Sequence, residues 1–170
     1  MKKTKIVIDA DVIFHFHKGG LLYMLPEIFS EYEYIVLSKV HEELSKDCKS
    51  YIDRMSSTFR NISIVEFNPT GDMMKEFAML RCNRGKGESA CMAYCKFNPD
   101  VLGSSNLNDI KDYCIENNIT YLTTYDFLYY AIKRGKLTIE EAQDFVAIVK
   151  SNDSKLPKKD IAHYVSETII

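Results

Sequence analysis

Five short apolar runs alternate along this chain with longer segments of helical periodicity. The runs are KIVID (residues 5–9), YIVL (34–37), ISIVEF (62–67), DVLGS (100–104) and ITYLTT (119–124). Such alternation is typical of folds in which helices cover both faces of a parallel sheet. We therefore predict an α/β protein, a three-layer α/β/α sandwich with a central, mainly parallel sheet and a C-terminal helical extension.

Two helices carry the clearest apolar stripes. Residues 38–59 are predicted as one continuous helix that opens at Ser38 as its N-cap. Its stripe is Val40, Leu44, Cys48, Tyr51, Met55 and Phe59. A capping box, Thr138 with Glu141, opens a later helix. We divide the chain into a main domain, residues 1–136, and a terminal helix with its tail, residues 137–170, the tail being either a docked helix or a partner-binding segment.

Composition narrows the function classes. The 170 residues carry a net charge of −2, so binding of a polyanion requires a local basic patch. The N-terminal apolar stretch is short and interrupted by aspartates, which predicts a cytoplasmic protein with no membrane partner. Five cysteines are an odd number in apparently helical segments, which favours reduced thiols in the core over disulfides. His15 and His17 are expected to be surface or half-buried imidazoles.

Polar side chains follow three of the predicted strands. Asp9 and Asp11 end the first strand, Asn106 and Asp109 follow the fourth, and Asp126 follows the fifth. Ligands of open α/β sheets bind beyond the carboxyl ends of the strands. An ionised carboxylate at the end of a buried strand requires a cation, hydrogen-bond donors or open solvent.

Two further acids, Glu43 and Glu88, lie near helix starts where they can point towards the same crevice. Carboxylates that converge without matching lysines or arginines repel one another unless a divalent cation neutralises them. A site made of carboxylates, without cysteine or histidine, favours Mg²⁺ or Mn²⁺. Arg81, Arg84 and Lys86 lie just before Glu88 and form a candidate phosphate-binding patch.

Residues 4–136 resemble the PIN-domain nucleases. The resemblance is carried by IDADVIF, SKVHEEL, GKGESA and SSNLND, which occur in the family's order. It implies that three or four acidic residues bind Mg²⁺ or Mn²⁺ and hydrolyse RNA, and many members of the family are toxins held by an antitoxin protein.

Position by position, the resemblance puts the first three acids of the family on Asp9, Glu43 and Glu88. The fourth is usually an aspartate with a serine or threonine two residues before it, and here that pair is Ser104 with Asn106. Asn106 offers an oxygen but no charge, so Asp109 or Asp126 is expected to substitute, and tight binding of a second metal is in doubt.

These expectations define the candidate site. The catalytic residues are Asp9, Glu43, Glu88 and Asp109, with Glu43 orienting the attacking water or a second ion. The metal ligands are Asp9, Glu88, Asn106, Asp109 and Asp126. The substrate contacts are Arg84, Lys86 and Ser104. The expected partners are RNA, an antitoxin and a second copy of the chain.

Two other functions stay open at the level of sequence. The uncharged Asn106 also permits a catalytically degenerate module that binds RNA or another protein. The spacing of Asp9 and Asp11 also permits a phosphatase-like site in which Asp9 is the nucleophile, although such a site requires a well-placed lysine.

Overall fold

The computed structural model describes residues 4–152 and 154–170, and its centre is a five-stranded parallel sheet. The strands are β1 (Lys5–Ile8), β2 (Glu33–Leu37), β3 (Ile62–Val65), β4 (Val101–Gly103) and β5 (Tyr121–Leu122). Their order is β3-β2-β1-β4-β5, and every neighbouring pair is parallel. The predicted α/β sandwich with a parallel sheet is therefore confirmed.

The helices follow the strands along the chain. They are α1 (Ala10–Lys18), α2 (Leu25–Ile28), α3 (Ser38–Glu43), α4 (Lys46–Thr58), α5 (Gly71–Leu80), α6 (Lys86–Phe97), α7 (Leu107–Glu116), α8 (Thr124–Lys133) and α9 (Ile139–Ser151). α1 packs against α3, α4 and α9, whereas α6 packs against α5 and against β1, β2 and β4.

β1 lies at the centre of the sheet between β2 and β4 and supplies part of the core. Ile6, Val7 and Ile8 are fully buried, as expected for a parallel strand covered on both faces. Because β4 is its neighbour, the residues that follow β1 and β4 emerge side by side at one edge. The Asp9 amide also donates to the Gly103 carbonyl at 2.8 Å.

The prediction of one continuous helix over residues 38–59 is wrong. Leu44 is extended, with φ −68° and ψ 147°, and ends α3. Ser45 then caps α4 by accepting a hydrogen bond from the amide of Cys48. Ser38 is the first residue of α3 rather than its N-cap, and its hydroxyl accepts from the amide of Phe67. The apolar stripe survives because both short helices bury the same side.

The predicted helix after Thr138 is confirmed, with its capping box, as α9. Phe145 of α9 packs against Phe16 of α1, with ring centroids 5.1 Å apart. Gly19 makes this approach possible, since a Cβ there would lie 2.2 Å from the Phe145 ring. The terminal helix thus packs on the sandwich.

In the described part of the tail, the regular structure is a single 3-10 turn, Ile161–His163. The tail docks through hydrogen bonds instead of forming an α-helix: the Tyr130 hydroxyl donates to the Thr168 carbonyl at 2.6 Å, and the Thr168 hydroxyl donates to the Tyr121 carbonyl at 3.0 Å. Across the described residues, no helix is long and apolar enough to cross a membrane.

Two side-chain expectations need amendment. The cysteines are free thiols, and four of them are buried as predicted, but Cys82 is exposed. His17 is half-buried as expected, whereas His15 is buried, with 6% of its surface exposed. Its Nδ1 lies 2.7 Å from the Thr124 hydroxyl, so a hydrogen bond satisfies the buried ring.

Candidate functional site

Asp9 and Asp11 lie where β1 passes into α1. Asp9 is the N-cap of α1, and its Oδ1 accepts from the amide of Ala10 at 2.8 Å. Asp11 lies in the first helical turn, and its Oδ2 accepts from the amide of Ser105 at 2.7 Å. Asp11 therefore ties the start of α1 to the loop that follows β4, and both carboxylates sit at the positive end of the α1 dipole.

Glu43 and Glu88 meet where α3 touches the start of α6. Glu43 Oε1 accepts from the amide of Gly87 at 2.8 Å, which satisfies one of the free amides of the first turn of α6. A Cβ at Gly87 would lie 2.6 Å from Glu43 Oε2 and 3.2 Å from the Cα of Val40. Glycine is thus required for this contact, and the contact fixes Glu43 beside the buried Glu88.

Asn106 connects the last two acids. Its amide nitrogen donates to Glu88 Oε1 at 2.8 Å and to Asp109 Oδ2 at 2.6 Å. The guanidinium of Arg84 donates to the backbone carbonyl of Asp109, with N···O distances of 3.3 and 3.4 Å. Arg84 therefore positions the start of α7, and its charge lowers the pKa of Glu88.

Four carboxylates in this group each keep one oxygen without a protein donor. Within the described residues, hydrogen bonds reach only the other oxygen of each group. The spare oxygens are Asp9 Oδ2, Glu43 Oε2, Glu88 Oε2 and Asp109 Oδ1. We call these four residues the acidic cluster.

Burial and mutual repulsion perturb the pKa values in and beside the acidic cluster. The pKa of Asp9 is raised well above its usual range by burial and by the charges of Asp11, Glu88 and Glu43. Burial raises the pKa of Asp11 to about 6, against hydrogen bonds that lower it. Burial and the charge of Asp109 raise the pKa of Glu88 to about 7. Strong shifts of this kind mark sites that hold a cation or perform acid–base chemistry.

Asp126 does not join the acidic cluster, which corrects its assignment as a metal ligand. Its Oδ2 accepts from the amide and hydroxyl of Thr123 in a capping box. Its Oδ1 accepts from the hydroxyls of Tyr164 and Ser166, at 2.7 and 2.6 Å. Both oxygens are therefore used to cap α8 and to dock the tail.

Two of the expected substrate contacts are already engaged within the protein. Ser104 is fully buried, so its hydroxyl is out of reach of a substrate and instead lies 3.5 Å from Asp11 Oδ2. The Lys86 ammonium pairs with Glu42 Oε2 at 2.7 Å on the surface. Exposed pairs of this kind are weak and open easily, so Lys86 stays available to a phosphate.

Comparisons of the chain with protein-family models, curated proteins and solved structures found no match. The site is therefore interpreted from its own chemistry. Among the residues that the structure describes, no group of three or more histidine, cysteine, aspartate or glutamate side chains is arranged to hold a metal ion as it stands. The bridging amide of Asn106 separates Glu88 from Asp109 in this arrangement.

Sequence reasoning missed the part that Asp11 and His15 play. Asp11 was noted at the strand end but not included among the site residues, yet its charge acts on both Asp9 and Glu88. His15 lies one helical turn after Asp11 and lines the same cavity beside the acidic cluster. The spacing of four residues in α1 was the available signal, since such residues share a helix face.

Proposed function

We propose that this chain is an endoribonuclease that uses Mg²⁺ or Mn²⁺ to hydrolyse phosphodiester bonds of single-stranded RNA. The observation that carries the proposal is the convergence of Asp9, Glu43, Glu88 and Asp109, each with one oxygen free of protein donors. The carboxylates come from four separate parts of the chain. Besides burial, the charges of Glu43 and Glu88 raise the pKa of Asp9 and the charge of Asp109 raises the pKa of Glu88, as expected at a cation site.

The donor set fits a hard divalent cation. All the spare donors are carboxylate oxygens, and these are the ligands that Mg²⁺ and Mn²⁺ prefer. Asp9, Glu88 and Asp109 would hold the ion, with the amide oxygen of Asn106 as a further donor. When bound, the ion supplies polarisation of a phosphoryl oxygen and a lower pKa for water.

Hydrogen bonds within the protein hold the acidic side chains and the loops around them in position. Glu43 is held by the amide of Gly87, which leaves Oε2 to orient a water molecule or a second ion. Arg84 fixes the backbone of Asp109 and carries a positive charge beside Glu88, where a phosphate would approach. Asp11 holds the loop after β4 through the amide of Ser105. These contacts restrict the acids to one geometry, which is the main protein contribution to such catalysis.

Phosphatase chemistry with Asp9 as nucleophile is less well supported. That chemistry requires a lysine near the aspartate, whereas the charges that act most strongly on Asp9 are those of Asp11, Glu88 and Glu43. Repulsion from three carboxylates disfavours the ionised nucleophile in the absence of a cation.

The second candidate function is a degenerate module that binds RNA or a protein without cleaving it. It is favoured by Asn106, whose amide bridges Glu88 and Asp109 by hydrogen bonds without a metal. Thermal unfolding with increasing Mn²⁺ separates the two. A competent site gains about 2.7 kcal/mol at 100-fold excess over the dissociation constant, whereas a degenerate site shows no shift.

The resemblance to PIN domains extends the proposal to a cytoplasmic toxin that an antitoxin protein or a second copy of the chain regulates. Expression in a bacterial host tests this part. A toxin arrests growth in the wild-type form and is harmless as Asp9→Asn, whereas equal growth of both strains would remove the toxin role and leave the nuclease proposal intact.

Measuring RNA cleavage by the Asp9→Asn variant is the direct test of the proposed nuclease activity. Asparagine is also a good N-cap, so α1 is retained while one charged ligand is lost. We expect Mn²⁺-dependent cleavage of labelled single-stranded RNA to fall at least about 100-fold, because metal stabilisation of the transition state is worth several kcal/mol. Asp144→Asn, an exposed aspartate on α9, is the matched control. Unimpaired turnover by Asp9→Asn would exclude the mechanism.

A further inference from the structure

Two adjoining cavities form one groove beside the acidic cluster. Their volumes are about 540 and 580 Å³, and both are lined by Asp11, His15 and Lys155. The first cavity opens beside Asn106, and the second continues along α1 to Lys18. The groove therefore reaches the acidic cluster through Asn106, which hydrogen-bonds to Glu88 and Asp109, and leads away from it along α1.

The segment from 154 to 157 forms one wall of this groove. The Lys18 ammonium holds it by donating to the Asn152 carbonyl at 3.2 Å and to the Ser154 hydroxyl at 2.7 Å. The Tyr125 hydroxyl fixes its far end by donating to the carbonyl of Pro157 at 3.2 Å. This wall lies outside residues 4–136, so the resemblance to PIN domains says nothing about it.

The first cavity combines apolar walls with hydrogen-bonding groups. Leu107, Leu156 and Pro157 supply apolar surface, and Leu107 is 38% exposed. Burial lowers the pKa of His15 to about 4, so its ring is neutral at neutral pH. The Thr124 hydroxyl lies 2.7 Å from His15 Nδ1 and accepts from the Ser105 hydroxyl at 2.8 Å, so hydrogen bonds hold the ring at the cavity wall. A flat ring with polar edges, such as a nucleobase, matches this lining.

Beyond the second cavity, aromatic rings continue from the groove across α4. The His17 ring lines the cavity and lies 5.2 Å from the ring of Tyr51, and Tyr51 lies 5.3 Å from Tyr23. The ring centroids of Phe59 and Tyr23 lie 6.5 Å apart, and Tyr23 is 42% exposed. Tyr23 is the exposed ring of this row, and the half-buried rings of His17, Tyr51 and Phe59 connect it to the groove.

Positive charges accompany the rings. The Arg54 guanidinium lies 5.0 Å from the centre of the Tyr51 ring. Lys46 and Lys49 line a surface cavity with Arg54 on the same helix. Asp53 also lines that cavity and pairs with His41. With Lys18 and Lys155 of the second cavity, the cations outnumber this acid on a chain whose net charge is −2.

We propose that this groove and the α4 surface form a track for single-stranded nucleic acid, an inference that rests on the proposed nuclease function and adds the path of the substrate. Cations beside exposed rings are the combination that binds unpaired strands, since the phosphates pair with lysine and arginine while the bases stack. A duplex keeps its bases stacked inside, so it cannot use the rings. The track runs from the acidic cluster past His15 and Lys155 to Tyr23.

Binding without cleavage tests the track. Fluorescence anisotropy with a labelled oligouridylate of about 12 nucleotides, in EDTA, measures affinity and its dependence on salt. Single-stranded DNA of the same length and a duplex RNA complete the set. Lys155→Gln, Arg54→Gln and Tyr23→Ala are the test variants. Lys75→Gln is the matched control, because Lys75 is exposed on α5 and pairs only with its neighbour Asp72.

We expect Tyr23→Ala to weaken binding of single strands about 5- to 150-fold, the range that corresponds to the loss of one stacked base. Lys155→Gln and Arg54→Gln should each reduce the salt slope by about 0.7, the contribution of one phosphate contact. Lys75→Gln should bind as the wild type does. A difference between RNA and DNA would show whether the 2′-hydroxyl is read on the track.

The results of binding and cleavage together distinguish failure of the proposed track from failure of the proposed nuclease activity. If the three variants bind as tightly as the wild type while Mn²⁺-dependent cleavage persists, the track is wrong and the proposed function stands. If the variants lose affinity but the wild type cleaves no RNA with Mn²⁺, the track stands and the nuclease proposal fails. Equal affinity for duplex RNA, unaffected by Tyr23→Ala, would also overturn the track.

Discussion

Glu88→Gln is expected to stabilise the metal-free protein. Glu88 is 8% exposed, and burial with the charge of Asp109 raises its pKa from the usual 4.5 to about 7. A shift of about 2.5 pH units corresponds to about 3 kcal/mol, at roughly 1.36 kcal/mol per unit. Glutamine carries no charge and still accepts from the amide of Asn106, so the repulsion is removed without loss of that hydrogen bond.

The sign of the effect depends on pH. Because the pKa of Glu88 is higher in the folded than in the unfolded state, its proton stabilises the fold fully below about pH 4.5, and this contribution is lost as the pH rises through about 7. We therefore expect Glu88→Gln to be more stable than the wild type by up to about 3 kcal/mol near pH 8, with a difference close to zero near pH 4.

Urea unfolding followed by far-ultraviolet circular dichroism, with EDTA at both pH values, measures the difference in the free energy of unfolding. Glu140→Gln, an exposed glutamate on α9, is the control and should show no such pH-dependent gain. Added Mn²⁺ should reverse the order, because only the wild type has the full ligand set. Equal or lower stability of Glu88→Gln near pH 8 in EDTA would refute the cost of holding a charged Glu88 buried beside Asp109.

Two further perturbations test the packing that supports the site. Gly87→Ala should destabilise the protein by about 1–3 kcal/mol through the clash with Glu43 and Val40, measured by urea unfolding. Adding Glu43→Ala should restore part of that stability but not the cleavage of RNA, and full additivity of the two changes would contradict the contact. Asp126→Asn should lose about 1–3 kcal/mol, since an amide nitrogen then faces hydroxyl donors. Protease should cut the tail of Asp126→Asn faster than the tail of Asp144→Asn. Equal rates of cleavage would show that Asp126 does not hold the tail.

The sheet could be predicted from sequence because each strand is a short apolar run bounded by polar residues. The break between α3 and α4 could not, since Leu44 and Cys48 are buried on either side of it and the apolar period continues unbroken. Ser45 was the local signal, as a capping residue inside a predicted helix. Periodicity reports the buried side of a segment, and two short helices can share one buried side.

The residues of the acidic cluster could be predicted from the sequence because they lie at the ends of strands and helices that are neighbours in the fold. Asp9, Glu43, Glu88, Asn106 and Asp109 are brought together because β1 pairs with β4 and α3 touches α6. Asp126 was misassigned because two of its donors, Tyr164 and Ser166, lie 38 and 40 residues further along the chain. No local pattern reveals that partnership. Lys155 was missed because it belongs to a tail with no periodicity.

Because α3 ends at Leu44, the residues of α3 and those of α4 belong to two helices and are not coupled through one rigid helix. α3 carries Glu43 and is tied to α6, whereas α4 carries the half-buried Tyr51 and the cations Lys46, Lys49 and Arg54. If the proposed track binds RNA, mutations on the outer surface of α4 alter which RNA is bound without shifting the Glu43 carboxylate beside Gly87. On the proposed function, the chain can acquire new RNA targets through changes on one short helix while the acidic cluster is preserved.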